Sequence, residues 1–236
     1  MQHDPPWNDP VNERHWFDEP NGLLVHVTPF NALMWDSGRT PARVIEHGVF
    51  TPESAQFSGE LSRGIVVVNH LRQRGRRLGA DIFEQLRKQI PLDLVGMDAE
   101  SLGGVGEVPP PDLPAFAARY RFFFNPIRWT SLGLAIIEAM MVGLPIVGLA
   151  TTELVTVIRH GESGFIDTDA ANLLAPMREL LADVDLARRL GANARRYALD
   201  RFGIARFARD WEQTFAEVVG RSINRSPAVP AVAGVV

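Results

Sequence analysis

The hydrophobic positions of this chain form short runs that alternate with longer amphipathic stretches. The short runs predict four buried strands, at Ile65–Val68, Leu92–Val95, Phe122–Phe124 and Ile146–Gly148. Between and after them the spacing predicts helices over about 80–89, 114–119 and 134–142. Short apolar strands that alternate with helices are typical of α/β proteins. The pattern therefore predicts an α/β fold with a doubly wound parallel sheet.

The two ends of the chain follow other patterns. Residues 1–21 are rich in Pro, Asp, Asn and His without periodicity, which predicts an irregular segment that needs another surface to fold on. Leu23–Val27 then predicts a strand. The C-terminal third predicts two helices whose apolar stripes face the core, one with Leu186, Leu190, Ala194 and Tyr197 and one with Ile204, Phe207, Trp211, Phe215 and Val218. The residues after Arg221 predict a disordered tail.

The region Arg121–Leu149 predicts a strand, a polar loop, a helix and a second strand, with one carboxylate, Glu138, inside the helix. A helix that opens at Ser131–Gly133 directly after a strand presents unpaired N–H groups and the positive end of its dipole. A phosphate group is the ligand that such a helix end favours. The sequence therefore predicts a phosphate site before this helix.

Residues 130–147 read T-S-L-G-L-A-I-I-E-A-M-M-V-G-L-P-I-V. This resembles the signature E-G-F-G-L-x-x-x-E-A-M-A-x-G-x-P-V-V of the retaining glycosyltransferases with the GT-B fold, usually called group 1 or family 4. The resemblance implies that Glu138 holds the ribose hydroxyls of a nucleotide-sugar. Thr130 stands where the family has a first glutamate that touches the transferred sugar. Its hydroxyl can hydrogen-bond a sugar but supplies no charge, so it departs from the family pattern.

Other segments extend the resemblance to about residues 22–220. Residues 44–49 resemble the linker between the two GT-B domains, and residues 151–155 and 158–165 resemble a helix, turn and strand that follow the motif. The resemblance implies a Rossmann-like C-terminal GT-B domain at 51–220 that binds the nucleotide-sugar, a remnant of the N-terminal acceptor domain with the linker at 1–50, and a disordered tail at 221–236. Glu153 is then a contact for the sugar donor or the cap of the helix that follows.

The family also places cations after the first strand of this domain, within G-R-L-x-x-x-K-G. Here residues 69–79, the arginine loop, read N-H-L-R-Q-R-G-R-R-L-G. The resemblance puts His70 at the arginine position and Arg76 or Arg77 at the lysine position, with Arg72 and Arg74 as further candidates. Arginine can grip a diphosphate bidentately and stabilise the charge of a leaving group. For each single arginine, a solvated loop position is an equally open alternative.

Composition removes several function classes. Net charge is −4, with 28 acidic and 24 basic residues, which gives no reason to expect nucleic acid as a partner. The absence of cysteine excludes disulfides and thiolate metal sites, and the six histidines show no metal-ligand spacing. We therefore expect no metal and no cofactor besides the nucleotide-sugar substrate. No apolar run reaches membrane-spanning length, so we expect a cytoplasmic protein, with association at the inner face of the membrane left open.

The resemblance implies a retaining, metal-independent glycosyltransferase that moves a sugar from a nucleotide-diphosphate sugar to an unknown acceptor, which is a glycan, a lipid or a small molecule. The alternative is a non-catalytic or truncated nucleotide-sugar-binding module that needs a partner chain with an acceptor domain. A dehydrogenase would need a G-x-G-x-x-G after the strand at Ile65, which is absent. The predicted catalytic residues are Arg76, Arg77 and Thr130, and the predicted donor-binding residues are His70, Arg72, Arg74, Ser131, Leu132, Gly133, Leu134, Glu138 and Glu153.

Overall fold

The computed structural model describes residues 1–225, and these form two parallel sheets. A two-stranded sheet comes first along the chain, with β1 (Leu24–His26) beside β2 (Ala42–Val44). A five-stranded sheet follows, made of β3 (Leu61–Val67), β4 (Leu92–Val95), β5 (Tyr120–Asn125), β6 (Ile146–Leu149) and β7 (Gly164–Asp167). Its spatial order is β4, β3, β5, β6, β7, and all neighbours are parallel. The predicted α/β fold with a doubly wound parallel sheet is confirmed.

Helices connect these strands. In chain order they are α1 (Pro29–Met34), α2 (Leu71–Arg74), α3 (Ala80–Leu86), α4 (Leu113–Ala117), α5 (Leu134–Val142), α6 (Leu154–Val157), α7 (Leu174–Ala182), α8 (Val184–Phe202) and α9 (Ile204–Arg225). The helix predicted over 134–142 is confirmed, whereas the one predicted over 80–89 ends earlier, at Leu86. Within residues 1–225, no helix combines the length and hydropathy that a membrane-spanning segment requires.

The large sheet is buried on both faces. Phe123 of β5 packs into the cluster that contains α5 and the C-terminal half of α8, while Phe122 and Phe124 pack into the cluster that contains α3, α7 and the N-terminal half of α8. Successive side chains of a strand point to opposite faces, so one apolar run contributes to the hydrophobic clusters on both faces of the sheet. This explains why β5 reads as continuous phenylalanine rather than as an alternating pattern.

The apolar stripe predicted to face the core is wrong for α9. Ile204 is 47% exposed and Phe215 is 59% exposed, whereas the buried residue between positions 204 and 220 of the helix is Thr214. After Gly203 the helix leaves the large sheet and contacts the linker and β2 through polar groups: Arg206 donates to the carbonyls of Glu46 and His47. Helical spacing reveals an amphipathic face but not what that face meets.

The two ends of the chain differ in how they compare with the predictions. Residues 1–21, the N-terminal strap, fold onto other parts of the chain as predicted, for instance through the Gln2 amide and the Val25 carbonyl, 2.7 Å apart. At the other end, α9 runs through Arg225, so residues 221–225 are helical and the predicted tail does not begin at 221. The rest of that tail, residues 226–236, lies outside the described residues.

The strand order creates a crevice between β3 and β5. The chain runs outward from β3 to β4, then returns to the other side of β3 and continues through β5, β6 and β7. Ligands of open α/β sheets bind outside the carboxyl ends of the strands at such a reversal point. Two segments border it here: the arginine loop after β3 and residues 126–133, the motif loop, after β5.

Candidate functional site

The arginine loop and the motif loop are in direct contact. The carbonyl of Arg77 accepts hydrogen bonds from the backbone amides of Arg128, at 3.0 Å, and Trp129, at 3.3 Å. Gly79, at φ +83°, approaches so closely that a Cβ there would lie 2.1 Å from the carbonyl oxygen of Pro126. The two segments predicted to carry the site therefore lie side by side at the reversal point of the sheet.

The motif loop ends at the N-terminus of α5. Gly133 is the N-cap residue, with no side-chain cap, and the first turn of α5 holds no acidic side chain. Within the described residues, the amides of Leu134 and Ala135 have no hydrogen-bond acceptor. A Cβ at Gly133 would meet only Ile136 Cδ1, at 3.9 Å, so this helix end is sterically open. Free amides and an open approach are the requirements of an anion site.

Ser131 and Leu132 lie before this open end but point inward. Ser131 is buried, and its Oγ lies 3.0 Å from Oγ1 of Thr28, the N-cap residue of α1. Leu132 belongs to the core cluster of α5. Of the predicted residues at this helix end, Gly133 and Leu134 are thus the accessible ones, while the side chains of Ser131 and Leu132 fix the path of the motif loop.

Glu138 is half-buried, and within residues 1–225 its carboxylate has no hydrogen-bond donor and no cation as a partner. Burial raises the pKa of Glu138 above its ordinary value of 4.5. Residues three and four apart share a helix face, so Glu138 lies on the same face as Leu134 and Ala135, and helical side chains lean toward the N-terminus. An unpaired, partly buried carboxylate costs stability, which favours a role in binding over a role in folding.

The structure separates the four arginines of the arginine loop. Arg72 donates to the carbonyl of Ser101, and Arg76 pairs with Asp81 at 2.9 Å. The side chains of Arg74 and Arg77 make neither a hydrogen bond nor an ion pair with any described residue. Burial, and then the charge of nearby Arg74, lower the pKa of Arg77. Two unpaired like charges that destabilise each other form a site that an anion would stabilise.

Arg76 faces a different surface from Glu138. It lines a cavity of about 600 Å³ beside α3, together with Arg128, Thr151 and Asp169. Arg128 grips Asp81 with two hydrogen bonds of 2.7 and 2.8 Å, so Asp81 is shared between two arginines. Glu138 and the N-terminal residues of α5 do not line this cavity. The Arg76 side chain therefore lies at a different surface from Glu138, whereas the Arg77 carbonyl joins the arginine loop to the Trp129 amide of the motif loop.

His70 and Thr130 border the same crevice without side-chain partners among the described residues. His70 has a left-handed backbone, φ 52°, and its amide donates to the Met97 carbonyl at 2.7 Å. Thr130 is half-buried between Trp129 and Ser131. Both side chains are thus available, and their roles stay predictions.

Glu153 is 1% exposed and is satisfied by the chain itself. One carboxylate oxygen accepts from the amide of Phe30 in α1 at 2.9 Å, and the other accepts from Arg201 at 3.1 Å and from the hydroxyl of Thr156. Although it is the N-cap residue of α6, its side chain makes no capping bond. Glu153 thus joins three helices that are distant in sequence, and contact with a sugar donor stays a prediction.

Two tryptophans at the crevice, Trp7 and Trp129, are not among the site residues predicted from the sequence. The Trp129 indole N–H donates to the carbonyl of Pro6 at 3.0 Å, and the Trp7 ring lies on the Arg77 guanidinium, with 3.5 Å from Cζ to the ring centroid. Trp129 precedes the motif and could have been noticed as an aromatic next to it. The contact of Trp7 gives no signal in the sequence.

The described residues contain no group of three or more His, Asp or Glu side chains arranged to hold a metal ion. The predicted independence of metals and cofactors concerns the reaction rather than these side chains, and it stays a prediction.

Comparison with known proteins shows what this chain is similar to. The profile of the family described as "Glycosyl transferases group 1" matches residues 63–183. A curated relative, the N-acetyl-alpha-D-glucosaminyl L-malate synthase of Bacillus anthracis, is 29% identical over 91 residues, which are 38% of this chain and 24% of the relative.

Solved structures share the fold at low identity. Sucrose-phosphate synthase from Thermosynechococcus elongatus superposes with a TM-score of 0.69 at 22% identity, over 84% of this chain and 59% of that one. Staphylococcus aureus TarM, bound to UDP and alpha-GlcNAc-glycerol, gives 0.66 at 14% identity over 83% and 44%. Anabaena HepE, bound to UDP and glucose, gives 0.58 at 18% over 76% and 58%. The chain thus spans a quarter to three fifths of these relatives. The predicted GT-B fold class is confirmed.

Proposed function

Because the chain belongs to the group 1 glycosyl transferases, as the match over residues 63–183 shows, we propose that it binds a nucleotide-diphosphate sugar at the crevice between β3 and β5 and transfers the sugar to an acceptor with retention. The observation that carries this proposal is the unpaired, half-buried Glu138 on the same helix face as the free amides of α5. The predicted family is confirmed, and the sugar donor, the acceptor and the stereochemistry are the proposal.

The diphosphate would bind where positive charge has no partner within the chain. The free amides and dipole of α5 meet it from the motif loop, and the unpaired guanidiniums of Arg77 and Arg74 meet it from the arginine loop. As the sugar leaves, negative charge grows on the diphosphate, and these groups stabilise it without needing to reorganise. The leaving diphosphate then accepts the proton of the attacking acceptor.

The ribose would bind to Glu138. An ionised carboxylate accepts two hydroxyl hydrogen bonds at once, and such charge-assisted bonds are stronger than neutral ones. Partial burial strengthens them further, because less water competes for the carboxylate. Thr130 lies eight positions before Glu138 along the motif and would face the sugar.

The nucleobase of the sugar donor is best tested first with uridine. TarM and HepE were solved with UDP, which supports this starting point, and this chain covers 44% of TarM and 58% of HepE.

The experiment is isothermal titration calorimetry of UDP, GDP and ADP against the wild-type chain and two variants. Glu138→Ala removes the proposed ribose ligand, and we expect affinity for the preferred nucleotide to fall about 10- to 100-fold. Glu84→Ala is the matched control, because Glu84 is an exposed helical glutamate of α3 without a side-chain partner among the described residues. Equal effects of the two variants, or a wild type that binds none of the nucleotides, would contradict the proposal.

A second candidate function is a nucleotide-sugar-binding module that works with a partner chain supplying the acceptor domain. Thr130 favours it, because a hydroxyl stands where the family has a charged carboxylate near the transferred sugar. Hydrolysis of the preferred nucleotide-sugar by the chain alone distinguishes the two functions. Turnover above the uncatalysed rate supports the enzyme, and binding without turnover supports the module.

A further inference from the structure

The N-terminal strap reaches the arginine loop through Trp7. The indole ring of Trp7 lies on the guanidinium of Arg77, with 3.5 Å between Cζ and the ring centroid. This distance is well within the range of a cation–π contact, which therefore joins the first residues of the chain to the arginine loop at the crevice between β3 and β5.

Trp7 is held in place by the backbone on both sides. Just before it, the carbonyls of His3, Asp4 and Pro6 accept hydrogen bonds from three side chains of the body, namely Asn31 Nδ2 at 2.9 Å, Trp35 Nε1 at 2.8 Å and Trp129 Nε1 at 3.0 Å. Just after it, the Glu13 carboxylate accepts from the amides of Trp7, Asn8 and Asp9. The indole is therefore presented from an anchored backbone.

A stacked guanidinium remains able to bind an anion. Its five N–H donors point outward in the plane of the group, whereas an aromatic ring covers only its face. Within the described residues, none of the Arg77 side-chain donors has an acceptor. The stacking thus restricts the rotation of Arg77 and leaves the edge that grips a phosphate free.

The charges around Arg77 favour an anion of more than one charge. Arg74 is the cation that acts on it most strongly, and Asp4 is the acid that acts on it. Asp81, the acid that follows the arginine loop, is bound by Arg76 and Arg128 instead. A diphosphate would bring negative charge to two cations that now repel each other.

We propose that Trp7 is a positioning residue of the sugar-donor site, which holds the Arg77 guanidinium by its face so that its edge meets the diphosphate. This inference rests on the proposed function, and it makes the N-terminal strap part of the binding site rather than a cover over it. Fixing the arginine before binding reduces the conformational entropy that binding would otherwise cost.

The test uses calorimetric titration of the full chain with two probes, inorganic pyrophosphate and UDP. Trp7→Ala should weaken the binding of both about 5- to 10-fold, whereas Trp7→Phe, which keeps an aromatic face, should stay within about threefold of wild type. Trp16→Ala is the matched control, because Trp16 belongs to the same strap, is 85% exposed and packs against the rings of His15 and Phe17 rather than on Arg77. Should the alanine variant not fold, Trp7→Leu replaces it as an apolar side chain without an aromatic face.

A double-mutant cycle with Arg77→Gln decides whether Trp7 acts through Arg77. In the Arg77→Gln background, Trp7→Ala should cause no further loss of pyrophosphate affinity. Additive losses, or a phenylalanine variant as weak as the alanine variant, would overturn the inference and leave Trp7 a structural residue of the strap.

The two proposals fail in different ways. A wild type that binds neither pyrophosphate nor any of UDP, GDP and ADP rejects the sugar-donor site itself, and the role of Trp7 with it. A wild type that binds both probes, loses affinity with Arg77→Gln and is unchanged by Trp7→Ala rejects the role of Trp7 alone.

Discussion

Arginines with the same charge and nearly the same position in the sequence have different chemical capacities in this protein. Arg76 forms an ion pair with Asp81, while the neighbouring Arg77 has no anionic partner among the described residues. The sequence could predict a cationic loop but could not rank its members, because the acids and carbonyls that engage them come from other segments. The ranking is a property of the fold.

Arg77→Gln should lower affinity for UDP about 10-fold, because a guanidinium that is free to bind a diphosphate is removed. Arg76→Gln is the matched control and should change affinity less than about twofold, since its charge is already balanced by Asp81. Calorimetric titration of both variants measures the difference. The reverse order would place the diphosphate in the cavity beside α3.

Glu138→Gln should separate binding from stability. Burial raises the pKa of Glu138 above 4.5, so the charged form is the one the folded protein disfavours. The cost is absent well below pH 4.5, grows as the pH rises from 4.5 toward the raised pKa and is complete above the raised pKa. The variant should therefore melt about 1–2 °C higher than wild type at pH 7, with a difference that disappears below pH 4.5.

Calorimetric melting at several pH values measures this difference, and UDP titration of the same variant should show weakened binding. A variant that melts lower than wild type at pH 7 would mean that the carboxylate has a stabilising partner. It would then be a structural residue, and the argument for a ribose ligand would lose its basis.

At the scale of elements, the local sequence was enough to predict both ends of α5. What α9 and Glu153 contact depends on segments that are distant in the sequence. The bounds of α5 follow from the glycines at 133 and 143 and an apolar run of helical length between them, all within one stretch of sequence. The prediction that the apolar stripe of α9 faces the core was wrong, because the spacing of apolar residues does not show which element the helix packs against. For the same reason the motif indicated Glu138, whereas the sequence did not reveal that Glu153 is bound by residues of two distant helices, α1 and α8.

Gly79→Ala should disturb the contact of the arginine loop with the motif loop. The new Cβ would lie 2.1 Å from the Pro126 carbonyl oxygen at a backbone φ of +83°, so both sterics and conformation oppose it. We expect a loss of at least ~2 kcal/mol in the free energy of unfolding. Gly161→Ala, with φ +78° and no atom within 4 Å of its Cβ, should lose only about 1 kcal/mol. Urea unfolding of both variants measures this, and equal losses would show that the loops can separate without cost.

At the scale of the whole molecule, one ionic network connects the segments before β3 to the large sheet and its helices. Arg201 of α8 binds Glu46 of the linker with its Nε at 3.0 Å and Glu153 at 3.1 Å, and Glu153 in turn accepts from the Phe30 amide of α1. Each member comes from a different part of the chain, so the network could not be predicted from spacing.

Arg201→Ala should destabilise the protein by about 3–5 kcal/mol, because it leaves the buried carboxylate of Glu153 without its cation. Arg188→Ala, on the exposed side of the same helix, breaks only a surface pair with Asp185 and should change stability by less than about 0.5 kcal/mol. Urea unfolding compares the two variants. A small loss for Arg201→Ala would show that water or another cation replaces it.

The anchoring of the N-terminal strap has a spectroscopic consequence. Three of the five tryptophans, Trp7, Trp35 and Trp129, lie where the strap meets the body, two of them as hydrogen-bond donors to its carbonyls. The intrinsic fluorescence of the protein is therefore weighted toward this junction rather than toward the large sheet. A red shift of the emission at a denaturant concentration below the main transition would report release of the strap while the sheet is still folded, without any added label.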